Sequence, residues 1–392
     1  MNQHNNLTLM KIREQALQQL KDFSENFLSN YARDRNFDFG PDKRTNTSCL
    51  SKYITHRIID EEEVLKSANS KYPYIKIEKF IQEVFWRTYW KGWLELKPKV
   101  FQSYKSDLLK LNEQKQSKSY LDAIGGKTEI ECFNDWANEL KHTGYLHNHA
   151  RMWFASIWIF TLKLPWQLGA DFFLKHLLDG DVASNTLSWR WVAGLHTKGK
   201  HYVAASWNIN KFSAKKYNHL KLNENATALF ESENFSSTPI HFDKLNNENS
   251  LFLAHNLDSN FLLKTKDKFN HYALFDFNSV LEKENYSKKV LDFKADINAE
   301  IADLIKVNFN STTIIRNKDE LLKIVSEKNI KNVVMPYLTC GYENDFISKI
   351  KNEIKITYLA RDYDQYCFQF SNKGFFAFKE QIPKILSVIF KN

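Results

Sequence analysis

The sequence predicts a multi-domain protein with an all-helical first part and a Rossmann-like α/β domain behind it. Three observations predict it. The 392 residues are enough for two or three domains. Up to about residue 210, apolar residues recur at helical spacing, and all ten tryptophans lie there, from Trp86 to Trp207. Beyond residue 250, short β-rich runs alternate with helical segments. The expected boundaries are a helical domain over 1–235, a linker over 236–250 and an α/β domain over 251–392.

Each element has a local reason. Residues 10–28 carry apolar positions at helical spacing. Asp60 before Glu61–Glu63 reads as an N-cap with an acidic first turn. A long amphipathic helix fits Ile77 to Leu96 and stops ahead of Pro98. Asn134–Lys141, Asn148–Leu162, Leu168–Leu178 and Val182–Ala193 read as further helices, punctuated by Gly144, Pro165 and Gly180. Residues 208–249 are rich in Asn, Lys and Ser, and SSTP at 236–239 with LNNENS at 245–250 reads as a linker. Strands are expected at Leu251–His255, His271–Phe275, Thr312–Ile315, Asn332–Pro336 and Ile354–Leu359. Helices at about 296–307, 317–328 and 342–352 separate several of them, which implies a parallel sheet. No GxGxxG, P-loop or internal repeat occurs.

Composition excludes several classes. Apolar residues make up 43% and charged residues 26%, as in globular proteins. The longest uncharged apolar run, Met152 to Leu162, is too short to span a bilayer, which needs about 20 residues. The start MNQHNNLTLM lacks the features of a secretory signal. Cys49, Cys132, Cys340 and Cys367 are isolated, so neither a metal site nor a disulfide framework is expected, and a cytoplasmic location is. The net charge is +9, with 33 basic against 26 acidic residues through residue 240 and 22 against 20 beyond. A basic, Trp-rich first part can attract phosphates and stack on planar groups; the plain alternative is a basic surface over an aromatic core.

Four clusters carry chemistry. Glu83, Trp86 and Arg87 share one helix face, and could bind a polar heteroaromatic ligand or simply form an ion pair beside a core Trp. Asn148, Arg151 and Met152 share another face after Gly144; the plain alternative there is a helix start with Met in the core. In Asp179-Gly-Asp181, followed by Asn185, Trp189 and Trp191, a capped turn would explain the acids but not the amide and two Trp behind them. Thr47, Ser48 and Ser51 around Leu50 could hold phosphates at a helix opening, or act as an ordinary cap.

In this order, T-S-x-L-S, E-x-x-W-R, T-G-x-x-H-N-x-x-R-M and D-G-D-x-x-x-N-x-x-x-W-x-W resemble the flavin-binding catalytic domain of the photolyase/cryptochrome family, over about Tyr31 to Asn210. The resemblance implies an all-helical domain that holds FAD in a U shape. It implies Tyr31, Thr47, Ser48, Leu50 and Ser51 around the FAD phosphates, and Arg87 and Arg151 close to the flavin, with Arg151 facing Asp179. It further implies Asp181 at the ribose or flavin and Asn185 opposite flavin N5. Glu83, Asn148, Met152 and Asn185 match the photolyases that repair cyclobutane pyrimidine dimers. By the same comparison Trp86, Trp191 and Met152 belong to the lesion pocket, Glu83 and Asn148 contact the flipped dimer, and His149, Lys198, Lys200 and His201 face DNA phosphates. Excited reduced flavin, FADH⁻, would donate one electron, the cyclobutane ring would split and the electron would return. The implied partner is UV-damaged DNA, met by a monomer away from membranes.

The chain departs from the family pattern in four places. No α/β antenna domain precedes the helical part, and the C-terminal α/β domain reads as its permuted counterpart or as an unrelated accessory domain; an antenna chromophore of unknown identity would go with the former. LFLAHNLDSN at 251–260 and the stretch Lys331 to Leu386, ending GFFAFKEQIPKIL, are the segments similar to that domain. Trp189 and Trp166 match the first two members of the family's electron-transfer chain, but the third position falls at Ala123 or Ile124, leaving Tyr120 or Trp158 as substitutes. Cys49 stands where an Arg is common, and the pattern ends early after Asn210. The expectation is a light-driven deoxyribodipyrimidine photo-lyase; the alternatives are a cryptochrome-like blue-light sensor and a (6-4) or single-strand photolyase.

Overall fold

The computed structural model describes residues 11–245, 248–256 and 258–390. Residue 10, two residues of the expected linker (Asn246 and Asn247) and Leu257 of the 251–260 segment therefore lie outside the described residues. The chain divides into two compact units. One takes residues up to Glu25, Leu50–Leu96 and Thr238 onward; the other takes Asn26–Cys49 and Lys97–Ser237.

The helices used below are α1 (Ile12–Asn26), α2 (Ser51–Thr55), α3 (Glu61–Lys71), α4 (Tyr74–Leu96), α5 (Lys99–Lys110), α6 (Glu131–Thr143), α7 (Asn148–Ser156), α8 (Trp166–His176), α9 (Val182–Ala193) and α10 (Ser206–Phe212). Beyond these come β1 (Ser250–Ala254), β2 (His271–Phe275), α11 (Lys288–Phe309), β3 (Ile314–Ile315), α12 (Lys318–Glu327), β4 (Asn332–Pro336), α13 (Tyr342–Ile350), β5 (Ile356–Leu359), α14 (Asp362–Phe368), α15 (Phe375–Lys379) and α16 (Ile382–Ile389).

In the first unit the five strands form one all-parallel sheet of order β3-β2-β1-β4-β5. Leu251 lies opposite His271, Ser250 opposite Asn332 and Val333 opposite Ile356. Strands β1 and β4 are buried along their whole length, as their unbroken apolar runs require when helices cover both faces. Phe275, Ile315, Met335 and Ile347 form part of one core cluster there.

Helix α4 belongs to this same unit and is tied to its C-terminal segments. Thr88 Oγ1 and Tyr363 of α14 share a 2.8 Å hydrogen bond, the Tyr89 hydroxyl donates to Lys373 O, and the Glu95 carboxylate accepts from the Tyr337 hydroxyl and Cys340 N. The close approach is possible at Gly92, where any Cβ would overlap Ser371. Helix α3 opens with a full capping box between Asp60 and Glu63. Just before it, Arg57 and Glu61 pair with Arg361 and Asp364 in a buried four-member ion cluster.

The second unit is built from α5–α10. Helix α9 starts and stops where its chemistry says it should: Asp181 Oδ1 accepts from Ser184 N at 2.7 Å, and Gly194 closes it in the left-handed region at φ 83°. The expected single helix over Asn148–Leu162 instead ends as α helix at Ser156 and continues as one wide π turn over Ile157–Thr161. There Leu162 N reaches back to Ile157 O, and Lys163 then turns away at φ 55°. This turn aims the Trp158 ring, whose Nε1 donates to Pro165 O at 2.9 Å. Among the described residues all four cysteines are unbridged, and no helix is long and apolar enough to cross a membrane.

Candidate functional site

The motif residues fall on both units. Leu50, Ser51, Glu83, Trp86 and Arg87 belong to the first, and Tyr31, Thr47, Ser48, Asn148, His149, Arg151, Met152, Trp166, Asp179, Asp181, Asn185, Trp189 and Trp191 to the second.

In the second unit, Arg151 and Asp179 are brought together across 28 residues of sequence. The guanidinium Nη2 donates to Asp179 Oδ2 at 2.9 Å, and Nε donates to Leu146 O at 2.9 Å. Asp179 is buried, so the ion pair is shielded from water and its geometry is fixed. The Tyr145 ring lies between two guanidinium groups, Arg151 at 5.1 Å and Arg44 at 5.2 Å. Arg44 in turn binds Glu139 at 2.6 Å and Asp38 at 3.0 Å. Burial raises the Tyr145 hydroxyl far above its usual value, so it stays a neutral donor.

Asn185 sits on α9 one turn after Asp181. Its amide nitrogen donates to Ala170 O at 2.8 Å, which fixes the side chain. Its carbonyl oxygen has no hydrogen-bond partner among the described residues. In the first unit Ser51 Oγ at the head of α2 is buried and likewise lacks a partner. A buried polar atom without a partner costs about 1–3 kcal/mol. The Ser51 hydroxyl therefore fits a polar ligand that supplies the missing hydrogen bond, and the Asn185 carbonyl oxygen is an accessible acceptor.

Asn46 pins the segment that leads to Thr47 and Ser48. Its amide nitrogen donates to Asp34 O and Phe37 O at 2.8 and 2.7 Å, and Cys49 ends the segment in the left-handed region at φ 49°. Asn46 and Tyr145 were not singled out from the sequence, and Arg44 opens the cluster of Thr47, Ser48 and Ser51 without a role of its own. Their neighbours in the T-S-x-L-S and T-G-x-x-H-N elements were the available signal, but pairing Arg44 with Glu139 needs contacts 95 residues apart.

On α4, Arg87 Nη1 donates to Thr55 Oγ1 at 2.6 Å, so Arg87 is held against the end of α2. The Trp86 ring stacks on Phe375 of α15 with centroids 3.5 Å apart and planes 11° from parallel, and Trp90 lies 5.0 Å away. Glu83 is half-buried. In the second unit Asn148 is exposed, Met152 is half-buried and Trp191 stacks on Tyr202. His149 lies flat against Trp153, its Nδ1 is 2.9 Å from Asn36 O, and burial lowers its pKa.

The aromatic rings form a different pairing from the two-tryptophan order of the sequence motif. Trp189 meets the Trp158 ring edge-on at 6.2 Å, and Trp158 meets Tyr120 edge-on at 6.0 Å. Trp166 lies against Tyr104 at 5.6 Å, and no ring contact joins it to Trp189 among the described residues. Among the described residues no group of three His, Cys, Asp or Glu could hold a metal ion.

Comparison with known proteins gives partial matches. Residues 80–221 match the FAD binding domain of DNA photolyase. The deoxyribodipyrimidine photo-lyase of Buchnera aphidicola is 29% identical over 192 residues, 45% of this chain and 38% of that one. The Streptomyces griseus protein of the same name is 31% identical over 160 residues, 38% of this chain and 33% of that one. The mitochondrial one of Saccharomyces cerevisiae is 28% identical over 216 residues, 52% and 37%. A crystal structure of a bacterial class III photolyase from Agrobacterium tumefaciens is 24% identical, with a TM-score of 0.40 over 52% of this chain and 42% of that one. The chain thus spans about a third to two fifths of the length of these curated relatives.

Proposed function

We propose that this chain, whose residues 80–221 are of the photolyase FAD-binding type, repairs cyclobutane pyrimidine dimers in DNA by light-driven electron transfer from bound, reduced FAD. The observation that carries the reading is the Arg151–Asp179 pair with its buried acid, together with an Asn185 whose carbonyl oxygen is left to accept, all within the matched segment.

FAD supplies the photochemistry when bound; the chain supplies binding, orientation and charge. In this reading Ser51, Thr47 and Ser48 donate to the FAD phosphates. Arg151 and Arg87 bring positive charge to the flavin, each already fixed by its own partner, and Asp181 reaches the ribose or flavin. Asn185 accepts from the flavin N5 position. Glu83 and Asn148 hydrogen-bond the extruded dimer, and Trp86, Trp191 and Met152 wall it, with Phe375 setting the plane of the Trp86 ring. Trp189, Trp158 and Tyr120 are close enough in sequence of rings to pass an electron through the protein interior. Trp166 keeps a supporting place beside Tyr104. We read residues 1–235 as the helical catalytic part, 236–250 as a linker and 251–392 as a Rossmann-like domain. The parallel strand order supports a counterpart of the family's antenna domain, placed after the catalytic part.

The test is a blue-light assay on purified, reduced, FAD-loaded protein with oligonucleotides carrying one cyclobutane dimer or one (6-4) product, against a dark control. Light-dependent loss of the cyclobutane dimer alone is the expected result. Loss of the (6-4) product instead would reassign the lesion. No repair of either by protein with photoreducible FAD would move the assignment to a light sensor.

A further inference from the structure

We propose that the outer face of α10 is a second nucleic-acid contact, in which Trp207 stacks on a base and Lys211 and Lys215 hold the neighbouring phosphates. The proposal deepens the DNA-binding reading above and rests on it for the class of partner.

The first observation is charge. From Val182 to Asn223 the chain contains no Asp or Glu, but contains Arg190 and six lysines, at 198, 200, 211, 215, 216 and 221. Three of the seven cations are occupied: Arg190 binds Glu231, Lys216 binds Asp135, and Lys198 donates to Asn234. Lys200, Lys211 and Lys215 are exposed and have no carboxylate partner among the described residues. Uncompensated cations on an acid-free segment are an electrostatic footprint for a polyanion.

The second observation is Trp207. It is 65% exposed, whereas the large side chains around it on the same helix are packed. Burial of a Trp is worth several kcal/mol, so exposing one on a rigid element forgoes that gain unless a partner covers it. Lys211 stands four residues on, so both side chains share one helix face.

The third observation is rigidity. Asn208 accepts from Trp153 Nε1 at 2.9 Å, and Ile209 is fully buried. Phe212 O accepts from Asp38 N at 2.8 Å, and its ring meets Phe37 edge-on at 5.0 Å. Ser206 N donates to Glu224 at 2.8 Å. Lys215 N closes the helix end on Asn210 O, in the left-handed region at φ 63°. The inner face is therefore anchored at both ends while the outer face carries the Trp207 ring and Lys211 about one turn apart, with exposed Lys215 just past the helix end. A stacking surface beside cations is what a flexible strand needs, since every base has a π face and every nucleotide a phosphate. A protein partner would be met by apolar neighbours of Trp207, and α10 offers lysine there instead.

The experiment uses the full-length, FAD-loaded protein and fluorescence anisotropy with labelled, undamaged (dT)12. Trp207→Ala should weaken binding about tenfold, as loss of one base stack does, and Trp207→Phe should restore most of it. Lys211→Gln should lower the salt dependence by about 0.7 in the slope of log K against log salt, the share of one phosphate on a single strand. Equal affinity of Trp207→Ala and wild type for (dT)12 would overturn the proposal. FAD content and repair of a dimer-bearing duplex are read on the same preparations. A wild-type protein that repairs nothing refutes the photolyase reading, while the (dT)12 comparison still decides the Trp207 contact.

Discussion

Asn185 and Arg361 show two ways in which one residue is committed by its partners. Asn185 is oriented through its amide nitrogen alone, which leaves its carbonyl oxygen as the acceptor that the proposed function assigns to a flavin N–H. Asn185→Asp should leave FAD content unchanged and alter the absorption spectrum of the bound flavin after illumination. Identical spectra would argue against contact at that edge. Arg361 is buried among Glu61, Asp364 and the neighbouring Arg57, and the two arginines hold Glu61 well below the ordinary carboxylate range despite its burial. Arg361→Ala removes one partner of a buried network and should cost about 3–5 kcal/mol in urea unfolding; a loss under 1 kcal/mol would show that water reaches the cluster. At this scale the sequence disclosed residue types and local spacing. It could not disclose that Phe375 covers Trp86 or that Arg44 meets Glu139, because those pairs are formed by folding and leave no periodicity.

Elements were legible where their ends carry specific chemistry. Helix α9 begins and stops where Asp181 and Gly194 predict. Strands β2 and β4 occupy the expected residues, because turn residues or a proline bound short apolar runs. Helix α4 starts at Tyr74, three residues before the expected Ile77, since Pro73 suits a helix opening that apolar spacing alone does not mark. The π turn after α7 was not legible, because its apolar residues fit an α helix equally well. Contact between α8 and α9 depends on Gly169. A Cβ there would lie 2.6 Å from Trp189 Cζ3 and 2.9 Å from Trp158 Cε2. Gly169→Ala should destabilise the protein by about 1–3 kcal/mol through overpacking, despite the better helix propensity of Ala. An unchanged urea midpoint would mean that the two indole rings can shift without cost.

For the whole molecule, the buried histidines set the response to mild acid. Burial lowers the pKa of His147 and His255 to about 4 and of His196 to about 3, and also lowers those of His149 and His176. Each folded pKa lies below the unfolded value near 6.5, so the unfolded chain binds more protons and stability falls as pH drops through that value. Buried acids pull the other way. Asp60, raised to about 6 by burial, and Glu95, Glu139 and Asp258, also raised, favour the folded state as they take up protons. Asp60 begins to count only near and below pH 6, whereas the five histidines count from pH 7. The urea midpoint should therefore fall between pH 7 and 6, and a flat or rising midpoint over that interval would refute the assignment. The presence of a parallel sheet was legible from strands alternating with helices, but its order was not, because strand neighbours are chosen by packing across the sheet.

Helix α4 and its partners also impose a schedule on synthesis. Thr88 is made 275 residues before Tyr363, with which it shares a hydrogen bond in the finished unit. At about 5–20 residues per second, the ribosome needs roughly 15–55 s to cover that distance. Throughout that interval Phe85 and Tyr89, both buried in the final structure, lack the C-terminal rings that cover them. A fragment ending at Ser237 freezes the nascent chain at this stage, and it should aggregate or bind the hydrophobic dye ANS strongly. A soluble, monodisperse fragment with weak dye binding would show that the helix finds cover elsewhere. Production of the protein in cells should accordingly depend on chaperones that hold apolar segments until translation is complete.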